Sequence, residues 1–269
     1  ESVAINQLKR FVADYAFEHG VEYAPQVKEG KKERVAIIGA GPAGLSAAWD
    51  LTLEGYQVTV FDALPVAGGM LAVGIPEYRL PKDILRKEIQ DVEKLGVDIR
   101  LNTPIHDIES LLKDGYQAVF IAVGAHRGAK MEIPGEDLGG VYDAIEFLKE
   151  ANLGKEIQVS KRVAVIGGGN SATDSARVAL RKGAEEVHIF YRRERRDMPA
   201  IAEEVEAAEE EGIHLHLLTV PTKILGNDGR VAGLECIRME LKEFDRSGRK
   251  TPYPIGGSEY KTDIDMVIE

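Results

Sequence analysis

The chain of 269 residues contains a single cysteine, Cys236. One thiol cannot form an internal disulfide or a CxxC redox pair, and it cannot supply the cysteine ligands of an iron–sulfur cluster. The sequence therefore excludes an internal disulfide, a paired-cysteine redox site and a cysteine-ligated cluster within this chain. His188, His214 and His216 fall in strand-like runs and lack metal-ligand spacing, so we nominate no metal ligands.

Long hydrophobic runs and an excess of basic residues are also absent. No apolar segment reaches the roughly 18 residues of a membrane span, and no signal-peptide pattern is present. The 34 basic residues are outnumbered by 45 acidic ones, which gives a net charge of −11 and disfavours nucleic acid as a partner. We therefore expect a soluble, cytoplasmic protein with neither a membrane nor a nucleic-acid partner.

Glycine, by contrast, is plentiful, and its 28 residues include the motif "GAGPAG" after an apolar run. In this GxGxxG arrangement Gly39 permits the tight exit from a strand, and Gly41 lets a pyrophosphate approach the backbone. Gly44 lets the following helix lie close to the sheet. Asp62 ends the next predicted strand, where its carboxylate can bind ribose hydroxyls. The stretch predicts a dinucleotide site that suits FAD or NAD.

The segment "AGGMLAVGIPEYRLPK" at 67–82 has an unusual composition. Its glycines and prolines make it too irregular for a helix or strand, and its apolar residues make it too hydrophobic for a solvent loop. A loop that lies against a flat aromatic ring system would have this composition, which favours FAD. A packed Ω-loop without a ligand is the alternative, and composition alone leaves it open.

A second copy of the pattern, "RVAVIGGGNSATDSARVALRKGAEEVHIFYRR", has Ala172 in place of the third glycine, a variant that dinucleotide sites accept. No acid ends its second strand; Arg192 and Arg193 stand there, followed by Arg195 and Arg196. A guanidinium binds the 2′-phosphate of NADP through charge-assisted bonds, whereas a carboxylate would repel it. The second site is thus predicted to take NADP(H). The alternative is a solvated loop whose charges the acidic helix "AEEVEAAEEE" balances.

Two distant copies indicate two domains of one architecture rather than a solenoid. We expect an α/β fold with two Rossmann-like dinucleotide-binding domains. The predicted divisions are an N-terminal helix and linker (1–32), an FAD-binding domain (33–158) and an NADP(H)-binding domain (159–269) inserted in the FAD domain. "DIDMVIE" at 263–269 looks like the start of a strand equivalent to "QAVFIAVGA" at 117–125. We therefore expect the chain to be a piece of a longer protein.

Several stretches together carry a family resemblance: "VAIIGAGPAGLSAAWDL", "GGMLAVGIPEYRLPK", "AVGA", "IPGEDLGGVYDAIEFL" and the second glycine copy through "YRRERRDMPA". They resemble the small (beta) subunit of NADPH-dependent glutamate synthase, across nearly the whole chain. The wider group includes the NADPH-oxidising half of dihydropyrimidine dehydrogenase and the large subunit of ferredoxin:NADP transhydrogenase. The resemblance implies FAD at the first turn, NADP(H) at the second, and electron transfer through iron–sulfur clusters to a partner domain or larger subunit.

The resemblance also implies the residues of both sites. Those that would line FAD are Gly39, Gly41, Pro42, Ala43, Gly44, Asp62, Gly69, Met70, Leu71, Gly74, Arg79 and Gly124. Those that would line NADP(H) are Gly168, Gly169, Asn170, Ser171, Arg192 and Arg193. Asp62 stands where many members have glutamate. We expect the family's N-terminal cysteine-rich domain and its C-terminal return to the FAD domain to lie outside this sequence, with residues 1–20 as the tail of the former.

The expected function is that of an FAD-dependent oxidoreductase subunit of the glutamate synthase type, which takes hydride from NADPH. Hydride transfer between stacked rings requires no protein acid or base, so we nominate no catalytic residue. A disulfide reductase of the thioredoxin reductase type is excluded by the single cysteine. A non-catalytic nucleotide-binding module that docks a larger enzyme remains the alternative. The sequence does not identify the final electron acceptor.

Overall fold

A computed structural model of the chain describes residues 3–21, 25–244 and 248–269. Residues 22–24 of the predicted linker therefore lie outside the described part. The helices found are α1 (Ile5–Glu18), α2 (Pro42–Leu53), α3 (Met70–Val73), α4 (Lys82–Lys94), α5 (Ile108–Lys113), α6 (Ala144–Asn152), α7 (Asn170–Arg181) and α8 (Ala202–Glu210), with a 3₁₀ turn at Arg195–Asp197.

The first sheet carries the first glycine turn. Its parallel strands are β1 (Arg34–Ile38), β2 (Gln57–Phe61), β3 (Asp98–Arg100) and β4 (Ala118–Ile121), arranged in the order β3-β2-β1-β4. Val35 and Ile37 of β1 pack with Leu45 and Ala48 of α2, while Ala36 is buried on the opposite face. The central strand is thus covered on both sides, as the β-branched run predicted.

The second sheet carries the second glycine turn. Its parallel strands are β5 (Val141–Tyr142), β6 (Arg162–Ile166), β7 (Glu186–Tyr191), β8 (His214–Leu217) and β13 (Met266–Ile268), in the order β5-β13-β6-β7-β8. β13 pairs with β6 as β4 pairs with β1. The last segment of the chain is therefore the strand equivalent that the sequence predicted.

An antiparallel sheet lies between β8 and β13 in the sequence. Its strands are β9 (Thr219–Asn227), β10 (Arg230–Phe244), β11 (Lys250–Pro254) and β12 (Tyr260–Thr262). Ile224, Leu234 and Cys236 of this sheet pack with Ala164 and Phe190 of the second parallel sheet. This layer was not predicted from the sequence, although Asp228-Gly229 between two apolar runs is a hairpin signal.

We call β1–β4 with their helices the first unit, and the second parallel sheet with α6–α8 and the antiparallel sheet the second unit. The predicted division after residue 158 placed β5 and α6 in the first unit. In the structure β5 pairs with β13, and Phe147 and Leu148 of α6 are buried with Val163 and Val165 of β6. The boundary is therefore corrected to a position before β5, because the apolar face of α6 covers the second sheet. The insertion of one domain in the other stays a prediction.

Candidate functional site

The first glycine turn joins β1 to α2. Gly39 has a φ of +110°, a conformation that side chains disfavour. Gly41 is the N-cap of α2 and Pro42 opens the helix, so the N–H groups of Ala43 and Gly44 belong to the first turn, which lacks intrahelical partners. A methyl group on Gly44 would overlap the carbonyl oxygen of Gly39. The turn can therefore present free N–H groups at a helix N-terminus, which suits a pyrophosphate.

The Asp62 carboxylate lies next to this turn, directly after β2. Its Oδ2 accepts a hydrogen bond from the Ala40 N–H at 2.7 Å, and its Oδ1 accepts one from the Leu64 N–H at 2.8 Å. Each carboxylate oxygen can accept a second bond, so the group retains capacity for ribose hydroxyls. Gly124, with a φ of +67°, follows β4 on the neighbouring strand.

Segment 67–82 lies against the first turn. The Gly68 N–H donates to the Ala40 carbonyl at 2.7 Å, and a methyl group on Gly69 would come within 2.7 Å of the Gly41 Cα. Any side chain at residue 69 would thus enter the space over the turn. The absence of side chains at both glycines leaves a backbone cradle that fits a phosphate group.

The same segment contains one helical turn, α3, where the composition predicted irregular structure. Met70 and Leu71 begin α3, and Gly74 is its C-cap. The Lys82 ammonium, which was not predicted as a site residue, donates to the carbonyls of Leu71 and Ile75. A cation at the C-terminus of a helix donates hydrogen bonds to the free carbonyls there and interacts favourably with the negative end of the helix dipole. Lys82 therefore holds the shape of the predicted flavin loop.

The second glycine turn repeats the arrangement at the end of β6. Gly169 is the N-cap of α7, and Asn170 Oδ1 accepts the Ile201 N–H at 3.0 Å. The Gly168 carbonyl accepts the Ala200 N–H at 3.0 Å. A cavity of about 350 Å³ lies beside this turn, and its wall includes Gly169, Ser171, Arg127 and Gly128. The turn and the cavity fit a second pyrophosphate at a helix N-terminus.

The arginines after β7 separate into different environments. Arg192 is exposed at the strand end, which suits a 2′-phosphate site. Arg193 is only 5% exposed, and its Nε donates to the Lys250 carbonyl at 2.9 Å. This burial against β11 favours Arg192 over Arg193 for a nucleotide contact, and the predicted place of Arg193 along NADP(H) stays a prediction. Arg195 pairs with Glu209 of the acidic helix α8, so the charge-balance alternative holds for that arginine.

Arg79, whose predicted place along FAD stays a prediction, contacts the second unit in the structure. Its guanidinium Nη1 lies 2.7 Å from Asp174 Oδ2 of α7, and its Nε lies 3.3 Å from Glu204 Oε1 of α8. The side chain therefore points to the second unit. Asp174 and Glu204 were not predicted from the sequence. The pattern that could have indicated Asp174 is the pair of charged residues three positions apart on the buried side of α7, Asp174 and Arg177.

The three strand histidines lie side by side on β7 and β8. His188 Nδ1 and His216 Nε2 are 3.0 Å apart, so one nitrogen donates and the other accepts. Burial and the neighbouring histidines lower the pKa of His188 and of His216. In the described ranges no group of three or more His, Cys, Asp or Glu residues could hold a metal ion.

Two glycine turns, each at the carboxyl edge of its own parallel sheet, define the class of two-dinucleotide-binding-domain proteins. Within residues 3–21, 25–244 and 248–269 no helix has the length and apolarity needed to cross a membrane.

Comparison with known proteins agrees with this class. Residues 33–248 match the family profile described as pyridine nucleotide-disulphide oxidoreductase. The chain is 48% identical to the NADP(+)-dependent formate dehydrogenase subunit beta of Moorella thermoacetica, over 100% of this chain and 42% of that protein. It is 36% identical to a putative NADPH glutamate synthase small chain of Cereibacter sphaeroides, over 99% of this chain and 67% of that protein. The solved structure of Mycobacterium tuberculosis FprA in complex with NADPH superposes with a TM-score of 0.75 at 21% identity, covering 88% of this chain and 70% of that one.

The chain belongs to the pyridine nucleotide-disulphide oxidoreductase family and, within it, to the group that contains the glutamate synthase small chains. This membership confirms the predicted fold class and the resemblance derived from the sequence motifs. The chain spans less than half of the length of the Moorella relative. The cofactor-lining residues stay predictions.

Proposed function

We propose that the chain is the FAD- and NADP(H)-binding part of an oxidoreductase that takes hydride from NADPH and passes electrons to iron–sulfur clusters of a partner subunit or domain. The observation that carries the proposal is the pair of glycine turns on two separate, contacting α/β units. The names of the relatives support it, since they describe NADP-dependent subunits of larger complexes.

At the first turn, the N-terminus of α2 would hold the pyrophosphate of FAD and Asp62 would hold its ribose. Segment 67–82, shaped by Lys82, would cover the flavin. When bound, FAD supplies the chemistry that converts a two-electron hydride donor into a source of single electrons. The protein positions the rings and excludes water, and no side chain acts as an acid or a base in this proposal.

At the second turn, the N-terminus of α7 would hold the pyrophosphate of NADP(H), with Gly168, Gly169 and Ser171 around it. Arg192 is the arginine that we propose for the 2′-phosphate, because it is exposed at the end of β7. A hydrogen bond between a guanidinium and a phosphate contributes about 1.5–3 kcal/mol. One such bond is enough for the site to bind NADPH about tenfold or more tightly than NADH.

For the final acceptor, we propose the glutamate synthase small-subunit organisation, in which the acceptor chemistry resides in the partner. The Moorella relative is named for formate and the Cereibacter relative for glutamate synthase. A shared module with different partners accounts for both names. Because Cys236 is the single cysteine of this sequence and a cluster needs several cysteine ligands, the ligands of the proposed clusters lie outside this sequence.

The test is a visible spectrum of the purified natural protein, followed by anaerobic addition of NADPH or NADH. We expect flavin absorbance that NADPH removes much faster than NADH does. The natural protein free of flavin after gentle purification, and unable to bind added FAD, would instead support the non-catalytic docking module. Flavin that responds equally to both coenzymes would refute the NADP(H) assignment.

A further inference from the structure

A cluster of charged residues joins the two units through segment 67–82. Arg79 Nη1 lies 2.7 Å from Asp174 Oδ2, and the Tyr78 hydroxyl lies 3.4 Å from Asp174 Oδ1. Arg79 Nε lies 3.3 Å from Glu204 Oε1. The side chains of Arg79 and Asp174 are 15% and 4% exposed. A nearly buried ion pair thus connects the first unit to α7 and α8.

Two arginines of α7 extend the cluster, Arg177 beside Glu204 and both Arg177 and Arg181 beside the Tyr78 ring. Arg177 pairs with Glu204 and with Glu211, whose Oε1 is 2.6 Å from Arg177 Nη2. The guanidinium carbons of Arg177 and Arg181 lie 4.5 and 4.4 Å from the centroid of the Tyr78 ring. The Tyr78 ring is therefore anchored by contacts that depend on its orientation.

The position of this cluster links the two glycine turns. On one side, segment 67–82 touches the first turn, where Gly69 lies against Gly41. On the other side, Asp174 stands one helical turn after Asn170, which opens α7 at the second turn. The path from one predicted nucleotide site to the other therefore consists of a short loop, one ion pair and one turn of helix.

Burial makes the ion pair sensitive to the loss of one partner. Desolvation raises the pKa of Asp174, and the Arg79 guanidinium opposes that shift. A buried pair contributes little net stability compared with apolar residues of the same size, but removing one charge leaves the other uncompensated. Such a pair fixes geometry more than it adds stability.

We propose that Arg79 is a positioning residue, which sets the orientation of the second unit relative to the first through Asp174 and Glu204. The proposal rests on the proposed function, because that orientation determines how the nicotinamide meets the flavin. Misplacement of reacting groups by about 1 Å can cost about 100-fold in rate. The effect should therefore appear in the rate of hydride transfer and not in the affinity for either nucleotide.

The first experiment measures flavin reduction in the natural full-length protein by anaerobic stopped-flow with NADPH. Arg79→Met keeps the aliphatic stem and removes the charge. We expect the limiting rate to fall about 10- to 100-fold, while flavin content and the apparent Kd for NADPH change less than about twofold. Arg79→Lys should be intermediate. A variant with both Arg79→Met and Asp174→Asn, which leaves no uncompensated charge, should be as slow as Arg79→Met alone.

The matched control is Arg162→Met. It removes another arginine–aspartate ion pair, Arg162 Nη2 to Asp265 Oδ1 at 2.8 Å, whose side chains are 36% and 33% exposed and which lies wholly within the second unit. We expect it to lower the thermal stability without changing the limiting rate. A rate loss in the control equal to that of Arg79→Met would overturn the proposal.

The second experiment needs no bound cofactor. Spin labels at Lys113→Cys in the first unit and Lys161→Cys in the second, both about three-quarters exposed, report the distance between the units by pulsed electron resonance. Arg79→Met should broaden or shift that distribution, and Arg162→Met should not. Unchanged distances in Arg79→Met would overturn the proposal. If that variant also loses flavin, the result would assign Arg79 to FAD binding instead. If NADPH fails to reduce the wild-type flavin, the proposed function fails, while the distances still decide the role of Arg79.

Discussion

Replacing Gly44 with alanine would place one methyl group where α2 approaches the first glycine turn most closely. The added carbon would overlap the Gly39 carbonyl oxygen and lie 3.2 Å from Ile37 Cγ2. The oxygen belongs to the backbone and cannot rotate away. The helix therefore has to move, and its N-terminus moves with it.

The size of the effect follows from opposing contributions. Alanine in a helix is favoured over glycine by about 1 kcal/mol. Overpacking against other groups costs about 1–3 kcal/mol, and an overlap with fixed backbone belongs at the upper end. We expect a net loss of about 2 kcal/mol, which lowers the Tm by roughly 4–8 °C for a protein of this size. Displacing the helix N-terminus from the pyrophosphate should weaken FAD binding about tenfold or more, since 1.4 kcal/mol corresponds to a factor of ten.

The assay is titration of the apoprotein with FAD, followed by flavin fluorescence, together with thermal unfolding. The matched control is Ala172→Gly, because Ala172 is the equivalent residue at the second turn. The methyl group of Ala172 fits there: a Cβ built on Gly167, the equivalent of Gly39, would still lie 3.3 Å from the Ala172 Cβ. The control should lose about 1 kcal/mol of stability through helix propensity and bind FAD normally. If Gly44→Ala retains the wild-type Tm and FAD affinity, close approach at Gly44 does not shape the site.

Three further predictions concern single side chains. Arg192→Ala should raise the KM for NADPH at least about tenfold, through loss of a bond of about 1.5–3 kcal/mol, and leave that for NADH nearly unchanged. Equal losses for both coenzymes would contradict this role. Burial raises the pKa of Cys236 to about 12, so a maleimide should label it only after unfolding; rapid labelling of the native protein would contradict its burial. Hydrogen bonds from Arg181 and Arg177 lower the pKa of Glu211 from 4.5 to about 2. That contribution to stability is complete above pH 4.5 and is lost as the pH falls towards 2, so Tm should fall less steeply over this range in Glu211→Gln.

Glu210→Gln is the control for the last prediction, because Glu210 is an exposed neighbour at the end of α8. It should retain the wild-type slope of Tm against pH. A Glu211→Gln slope equal to that of the wild type would show that the ion pairs do not persist in solution. Because Glu211 is partly exposed, solvent screening reduces the effect, and a change of about 1 kcal/mol is expected.

The parts of the fold that the sequence predicted depend on neighbours along the chain. Apolar runs, glycines and the helical patterns after them are contiguous, so both nucleotide turns and the strands before them could be identified from residues alone. The equivalence of β13 and β4 was also predictable, since a buried parallel strand has a recognisable apolar run. The family resemblance rests on the same contiguous motifs.

Tertiary structure alone decided the relations between distant segments. Arg192 and Arg193 are adjacent in the chain, yet β11, 57 residues further on, buries only Arg193. Arg79 meets Asp174, 95 residues away, because segment 67–82 packs between two units that lie beside each other. The placement of α6 on the second sheet likewise depended on which apolar face covered it. Local patterns specify which surfaces must be buried, while the partner that buries each of them is selected only when the whole chain has packed.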